Sequence, residues 1–377
     1  MKLEVAQTQD SSELKEFFKG FPTSGPIDLK IDRPRDFFLR YSIESDQCIT
    51  YSLRADKTQL LEGLASFVVK DVLVNKEETT VAFARDLRIS QHRKTILTWG
   101  QHVLPVMSEI EKTLGAKIFF SVLNMNEVQA LNTFLHPRDQ RRNLPRYYLY
   151  RKFHLVSLHG RFPWASNPLP KMKIRRASIR TWDAVLHYIA KKSQQKNLSG
   201  FWNSTKISEQ IERWRGLDLS DFLIAMDRHD NVVGCVAPWS SGGIEEFIPM
   251  KYGLRAHNFR QFLKFGRWLG WTRTLTKPYS RLKVEAPLNF RYLCFLNADN
   301  EDIFESLLHA AFDEARENEF LVYLQMKSDL TLRRPLDWIT TQSAYGLYAM
   351  IPPELDPPAF LHPRNDQPVE LEPFFAV

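Results

Sequence analysis

The chain has 377 residues, 44% hydrophobic and 25% charged, with a net charge of +7. That length suits two domains of ordinary size, and the composition is that of a folded globular protein rather than a disordered or fibrous one. The positive charge admits an anionic partner such as CoA, a nucleotide, RNA or a lipid headgroup and selects none of them.

Three cysteines, Cys48, Cys235 and Cys294, stand far apart with no CxxC pair, so neither a disulfide framework nor a cysteine-based zinc site is signalled. The ten histidines show no HExxH spacing, and neither a Gly-x-Ser-x-Gly nor a Walker loop occurs. A metal enzyme, a serine hydrolase and a P-loop NTPase are therefore disfavoured, and no metal ligands are assigned. The start, MKLEVAQTQDSSELKEFF, lacks an apolar h-region, and no run of about 18 apolar residues occurs. The expectation is a cytoplasmic protein without a secretion signal or membrane span.

In chain order, β-branched and aromatic residues predict strands over Pro34–Glu44, Gln47–Leu53, Leu61–Val74 and Val81–Ile89. The period then changes. From Leu97 to Leu114 the apolar residues fall near helical spacing, and Gly115 is a plausible stop. The apolar run Ile118–Leu123 predicts a strand, Asn126–Leu135 a helix and Arg146–Val156 another strand. Gly160–Pro170 holds three prolines and no periodicity and reads as a linker.

A second copy of the pattern follows. Met172–Ser178 is a predicted strand, with helices over Trp182–Lys192 and Ser208–Trp214. Phe222–Asp227 and Val232–Trp239 form a hairpin, and Asn289–Leu296, Asp302–Asn318 and Phe320–Met326 read strand, helix, strand. The last stretch, Ile351–Val377, has seven prolines in 27 residues. Proline supplies no amide donor, so an extended arm anchored by Phe374 and Phe375, or a mobile tail, is expected there.

The unit Thr79–Leu114, in which a strand ending at Asp86-Leu87-Arg88-Ile89 passes through a basic loop into a long helix, resembles the pyrophosphate cradle of the GNAT acyltransferase superfamily. Exposed amides at a helix start, backed by the helix dipole, suit phosphate oxygens. The loop departs from the family's Arg/Gln-x-x-Gly-x-Gly/Ala pattern: Lys94, Thr95, Ile96, Leu97 and Thr98 follow Arg93, with no glycine. The apolar strand after the helix, and Asn126–Ala130, which resembles the family's Asn-x-x-Ala with one extra residue, extend the likeness. So does the hairpin FLIAMD-turn-VVGCVA in the second half.

The resemblance covers roughly residues 32–350 and implies an α/β fold of two tandem GNAT-like domains, each a twisted mixed sheet flanked by helices. The divisions are 1–159, a linker at 160–171, 172–350 and a proline-rich arm at 351–377. It implies an acyl-CoA-dependent N-acyltransferase that uses acetyl-CoA or a longer acyl-CoA on an amine acceptor, through the first domain. Leu87, Arg88 and Ile89 would line the pantetheine arm, with Arg93, Lys94, Thr95, Thr98 and Asn126 completing the cofactor site.

Asp86 stands where a general base is needed, provided burial raises its pKa; the alternative is an ion pair with Arg85 or Arg88, or a helix-end cap. The family's acid is a tyrosine at a position that is Phe134 here, so Tyr148 or Tyr147 would have to replace it. In the second half Asn297–Asp302 carries three carboxylates where a pyrophosphate would sit. These read as helix N-caps that would repel CoA.

A second functional class rests on Phe247–Val284, which holds nine Lys or Arg and no Asp or Glu. Arg260, Lys264 and Arg267 share one helical face, and Phe259, Phe262, Leu263 and Gly266 another. With Trp271 these cations form a candidate site for a nucleotide or other phosphorylated ligand, in a binding module that kept the fold without the chemistry. A second basic run, His136–Lys152, allows an anionic ligand near the domain junction. An aminoacyl-tRNA-dependent transferase is a third reading that the basic runs allow.

Overall fold

Twelve strands join into one sheet that runs through both halves of the chain, in the order β1-β3-β4-β5-β6-β14-β7-β13-β12-β10-β9-β8. The computed structural model describes residues 1–127, 144–278, 285–362, 365 and 367–376. In the first half lie β1 (Lys2–Val5), β3 (Gln47–Arg54), β4 (Leu61–Val74), β5 (Glu77–Ile89), helix α3 (Arg93–Leu114), β6 (Ile118–Asn124) and β7 (Arg146–Arg161). The second half supplies β8 (Lys173–Arg176), β9 (Leu223–Met226), β10 (Val232–Trp239), β12 (Phe290–Ala298), β13 (Phe320–Met326) and β14 (Trp338–Ile351). A separate two-stranded ribbon joins β2 (Ile27–Asp32) to β11 (Glu246–Tyr252), one strand from each half. The expected mixed α/β fold is present.

The two halves repeat one another. In each, a strand pairs in parallel with the strand after its helix: Val81 opposite Ile118 on β5 and β6, Phe290 opposite Phe320 on β12 and β13. They also exchange their last strands. β14 inserts between β6 and β7 and pairs with β7 from Trp338↔Arg161 to Ile351↔Arg146, while β7 pairs on its other side with β13. β7 therefore runs five residues past the predicted Val156, into the segment read as linker. Its continuation is buried at Leu158, His159 and Gly160, and pairing on both edges carries the strand on.

One expected element is wrong. Pro34–Glu44, read as a strand, ends in a short helix, α2 (Leu39–Glu44). Its aromatic content mimics a strand, but Phe37 and Tyr41 are four residues apart and their rings meet edge-on at 5.7 Å, a helical spacing. The predicted helix Asn126–Leu135, with Ala130 and Phe134, lies largely outside the described residues, as do Arg138, Arg141, Arg142, Arg281 and Lys283.

One large apolar cluster spans both halves, from Phe83, Phe120 and Phe153 to Trp214, Phe222, Phe295 and Phe374. The proline-rich arm closes it: Phe374 and Phe375 are buried, and Trp214 meets Phe375 at 5.3 Å.

Candidate active site

β5 carries an interruption at the point where the cofactor edge was expected. Its pairing with β4 passes from Ser66↔Arg85 to Leu64↔Arg88, so Asp86 and Leu87 both face the single residue Ala65. This is a β-bulge. Asp86 takes a left-handed φ of 52°, which is costly for a non-glycine residue and is sustained only by fixed surroundings. On the other edge the parallel register with β6 ends at Ala84↔Ser121. The strand from Asp86 to Ile89 thus diverges from β6 and offers backbone groups to an incoming ligand.

Arg33 fixes the bulge. Its Nη2 donates to Asp86 Oδ2 at 2.6 Å and to Glu245 Oε2 at 2.9 Å, its Nη1 donates to the Tyr41 hydroxyl at 3.0 Å, and that hydroxyl donates to Asp86 Oδ2 at 2.6 Å. Phe18, Phe37 and Tyr41 surround the guanidinium at 4.4, 4.9 and 5.1 Å. Beside it Arg40 reaches Glu245 at 3.4 Å and donates to the Phe374 carbonyl at 2.9 Å, while Arg85 and Lys70 both hold Glu44. The junction of the halves is a buried charge network.

This arrangement corrects the expectation for Asp86. Burial pushes its pKa up, but Arg33, Arg40 and Arg88 together with the Tyr41 hydroxyl outweigh it and hold the carboxyl well below the usual range. A general base needs the opposite shift. The ion-pair alternative is present, with Arg33 as partner rather than Arg85 or Arg88. Tyr148 is not brought near Asp86: it lies on β7, separated from β5 by β6 and β14, so three strand spacings, roughly 14 Å, intervene. Tyr41 is the tyrosine at the bulge.

Beyond β5, α3 begins at Arg93 with His92 as N-cap, whose side chain accepts none of the first amides. Arg93 and Lys94 are exposed, Thr98 bonds back to the Lys94 carbonyl, and Thr95 is buried with its hydroxyl unpartnered. Arg88 stacks over Phe18 at 5.1 Å, and Asn126 donates its amide to the Asn124 side chain. An open, basic helix start next to a free strand edge fits a phosphate-bearing ligand with an extended arm.

The equivalent place in the second half is filled. β12 carries the matching bulge, with Phe295 at φ 52°, between Cys235↔Asn297 and Ala237↔Cys294. There the Phe295 amide donates to both oxygens of Glu372 at 3.1 Å, so the C-terminal arm occupies the groove. The following helix, α7 (Glu301–Glu314), is capped by Asn300, whose side chain accepts from the Ile303 amide, and Glu301 and Asp302 sit in its first turn. Burial and the neighbouring Glu370 push the Glu372 pKa up to about 8, against the Phe295 amide, Lys196 and Lys70.

Of the alternative ligand residues, Arg260, Lys264 and Arg267 line one open groove of about 520 Å³ with Trp268 and Lys277. Trp271 is apart from them, in a 480 Å³ cavity with Arg161, Arg273 and His309. Among the described residues no group of three metal-ligating side chains occurs and no helix is long and apolar enough to cross a membrane.

The bulged strand, the helix behind it and the duplicated sheet define the tandem GNAT-like fold. Among solved structures, the chain is similar to Saccharomyces cerevisiae N-myristoyltransferase with bound myristoyl-CoA (TM-score 0.54, 8% identity, 98% of this chain and 89% of that one). A second structure of that enzyme, with myristoyl-CoA and inhibitors, gives a TM-score of 0.52 and 10% identity over 98% and 86%. No sequence family model and no characterised protein matches the chain by sequence.

Proposed function

We propose that the chain is an acyl-CoA-dependent N-acyltransferase whose acyl-CoA lies in the first half. The observation that carries this reading is the asymmetry of the two bulges. One opens onto an uncapped helix start with Arg93 and Lys94; the other is filled by Glu372 and followed by a capped, acidic start. The solved structures of similar fold, which contain myristoyl-CoA, support the choice of cofactor class.

Leu87, Arg88 and Ile89 would run beside the extended arm of the cofactor, and the first amides of α3 with Arg93, Lys94 and Thr95 would hold its phosphates. Bound acyl-CoA supplies an activated thioester to the acceptor amine. Asp86 acts as a positioning residue: its ion pair with Arg33 holds the left-handed turn that aims the bulge amides. Asn126 and Thr98 border the same region. Tyr148, three strands away, has no role at the reacting atoms, so Tyr148→Phe should leave turnover unchanged.

Thermal-shift measurements with acetyl-CoA, longer acyl-CoAs and nucleotides test the reading, because a ligand specific for the folded state raises the melting temperature. An acyl-CoA should raise it and AMP or cyclic nucleotides at equal concentration should not. The reverse pattern would favour the nucleotide-binding alternative, and a response to aminoacyl-tRNA alone the third.

A further inference from the structure

Helix α6 (Leu254–Trp268) is attached to the body along one narrow line. Within it only Leu263 and Gly266 are buried, with Phe259 half-buried beside them. The attachment is tight. The Thr272 hydroxyl donates to the Leu263 carbonyl at 2.5 Å, and a Cβ added at Gly266 would lie 2.8 Å from the Thr272 methyl. The inward face is thus already engaged, and the remaining apolar residues of the helix are not a core that failed to pack.

At 100° per residue, the line opposite Leu263 and Gly266 carries the exposed Asn258 and Gln261 and three apolar residues, Leu254, Phe265 and Trp268. These three are 79%, 60% and 80% exposed. Arg260, Lys264 and Arg267 flank that ridge on one side and line the groove beside Trp268. Lys264 meets no carboxylate among the described residues, and Arg267 has only the exposed Glu317 at 3.3 Å. The surrounding sequence is one-sided too. Phe247–Val284 carries nine cations and no anion, so the rest of the chain, with 42 basic and 44 acidic residues, is net negative.

We propose that this ridge is a docking surface for an anionic phospholipid membrane, on which α6 lies in the interfacial plane. Trp268, Phe265 and Leu254 enter the headgroup and upper acyl region, and Arg260, Lys264 and Arg267 pair with lipid phosphates. The charge selects an acidic surface, and an outward aromatic ridge beside cations is the arrangement of an interfacial helix. Nucleic acid fits less well. Base stacking uses rings that line a groove: Trp268 borders one, but Phe265 stands on the convex ridge in line with Leu254, which cannot stack. The inference does not depend on the acyltransferase reading.

Co-sedimentation of the full chain with phosphatidylcholine vesicles, with and without one-third phosphatidylglycerol, tests it. The wild type should sediment with the anionic vesicles only, and less as salt rises. Phe265→Ser with Trp268→Ser should weaken partition roughly tenfold or more, and Lys264→Ala with Arg267→Ala roughly thirtyfold. Unchanged melting temperatures would show that both variants are folded. Failure of the wild type to bind anionic vesicles, or full binding by the aromatic double variant, overturns the proposal. So does a wild type that ignores vesicles but binds single-stranded RNA, which would make the surface a nucleic-acid site.

Discussion

Asp86 and Phe295 occupy the same place in the two halves. Each follows by five positions the first residue of its parallel pairing, Val81 and Phe290, and each has φ 52°. The two bulges then differ in what meets them. Asp86 turns its side chain to a buried arginine, whereas Phe295 offers its amide to a carboxylate from the C-terminal arm. One copy of the fold keeps an open edge and the other is closed from within.

Arg33 should be the most sensitive residue of the junction. Arg33→Ala leaves Asp86 and Glu245 buried without that partner and should cost about 3–5 kcal/mol of stability. Asp86→Asn keeps a hydrogen-bond acceptor for Arg33 and should cost less. Urea denaturation of the two variants checks the order. Equal losses would mean that Arg33 does not hold the network together.

The same network predicts acid sensitivity. Burial raises the Glu44 pKa, but Arg85 and Lys70 outweigh it and hold it down to about 2; Asp86 is also lowered. Carboxyls with depressed folded values add stability that is complete above their ordinary range and is lost as pH falls towards the folded value. Glu44→Gln should be less stable than wild type at neutral pH, with the gap closing on acidification. Melting curves from pH 7 to about 3 would show it.

Glu372 has the opposite sign. Its folded value is raised to about 8, so its contribution is complete below the ordinary value of 4.5 and is lost as pH rises through about 8. The melting temperature should fall from about pH 4.5 to about pH 8 and level off above it, and Glu372→Gln should flatten that fall. An unchanged slope would mean that the arm is held by its phenylalanines alone.

Gly160 marks where the segment after α6 lies against β7. A Cβ there would meet the Trp271 carbonyl oxygen at 2.4 Å and the Thr272 Cα at 2.9 Å, both backbone atoms. Gly160→Ala should destabilise by about 1–3 kcal/mol through overpacking. Gly270→Ala, whose added Cβ would meet nothing within 4 Å but whose φ is 78°, separates steric overlap from backbone strain. A Gly160→Ala protein as stable as wild type would mean that the segment moves away freely.

Much of the fold is legible in the sequence because many of its strands are apolar runs bounded by turn or charged residues. β4, β10 and β13 have their predicted ends, and the repeat of strand, helix and strand gives the duplication. The exchange of β7 and β14 is not legible, since partner choice between two similar halves depends on contacts almost 200 residues apart. The site is harder still. Arg33 and Glu245 are separated by 212 positions, and a left-handed aspartate carries no local signature such as glycine. The basic charge of Arg93 and Lys94 and the acidic charge of Glu301 and Asp302 were readable beside a helix start, because charge at a helix terminus is a local property, although the first helix begins at Arg93 rather than at the predicted Leu97.

The central claim is that one bulge of the two receives the cofactor. Isothermal titration with acetyl-CoA or a longer acyl-CoA measures it directly. The account predicts one equivalent bound, with affinity reduced by Arg93→Ala with Lys94→Ala and unaffected by Glu301→Gln with Asp302→Asn. Two equivalents, no binding of any acyl-CoA, or affinity unchanged by loss of Arg93 and Lys94 would contradict it.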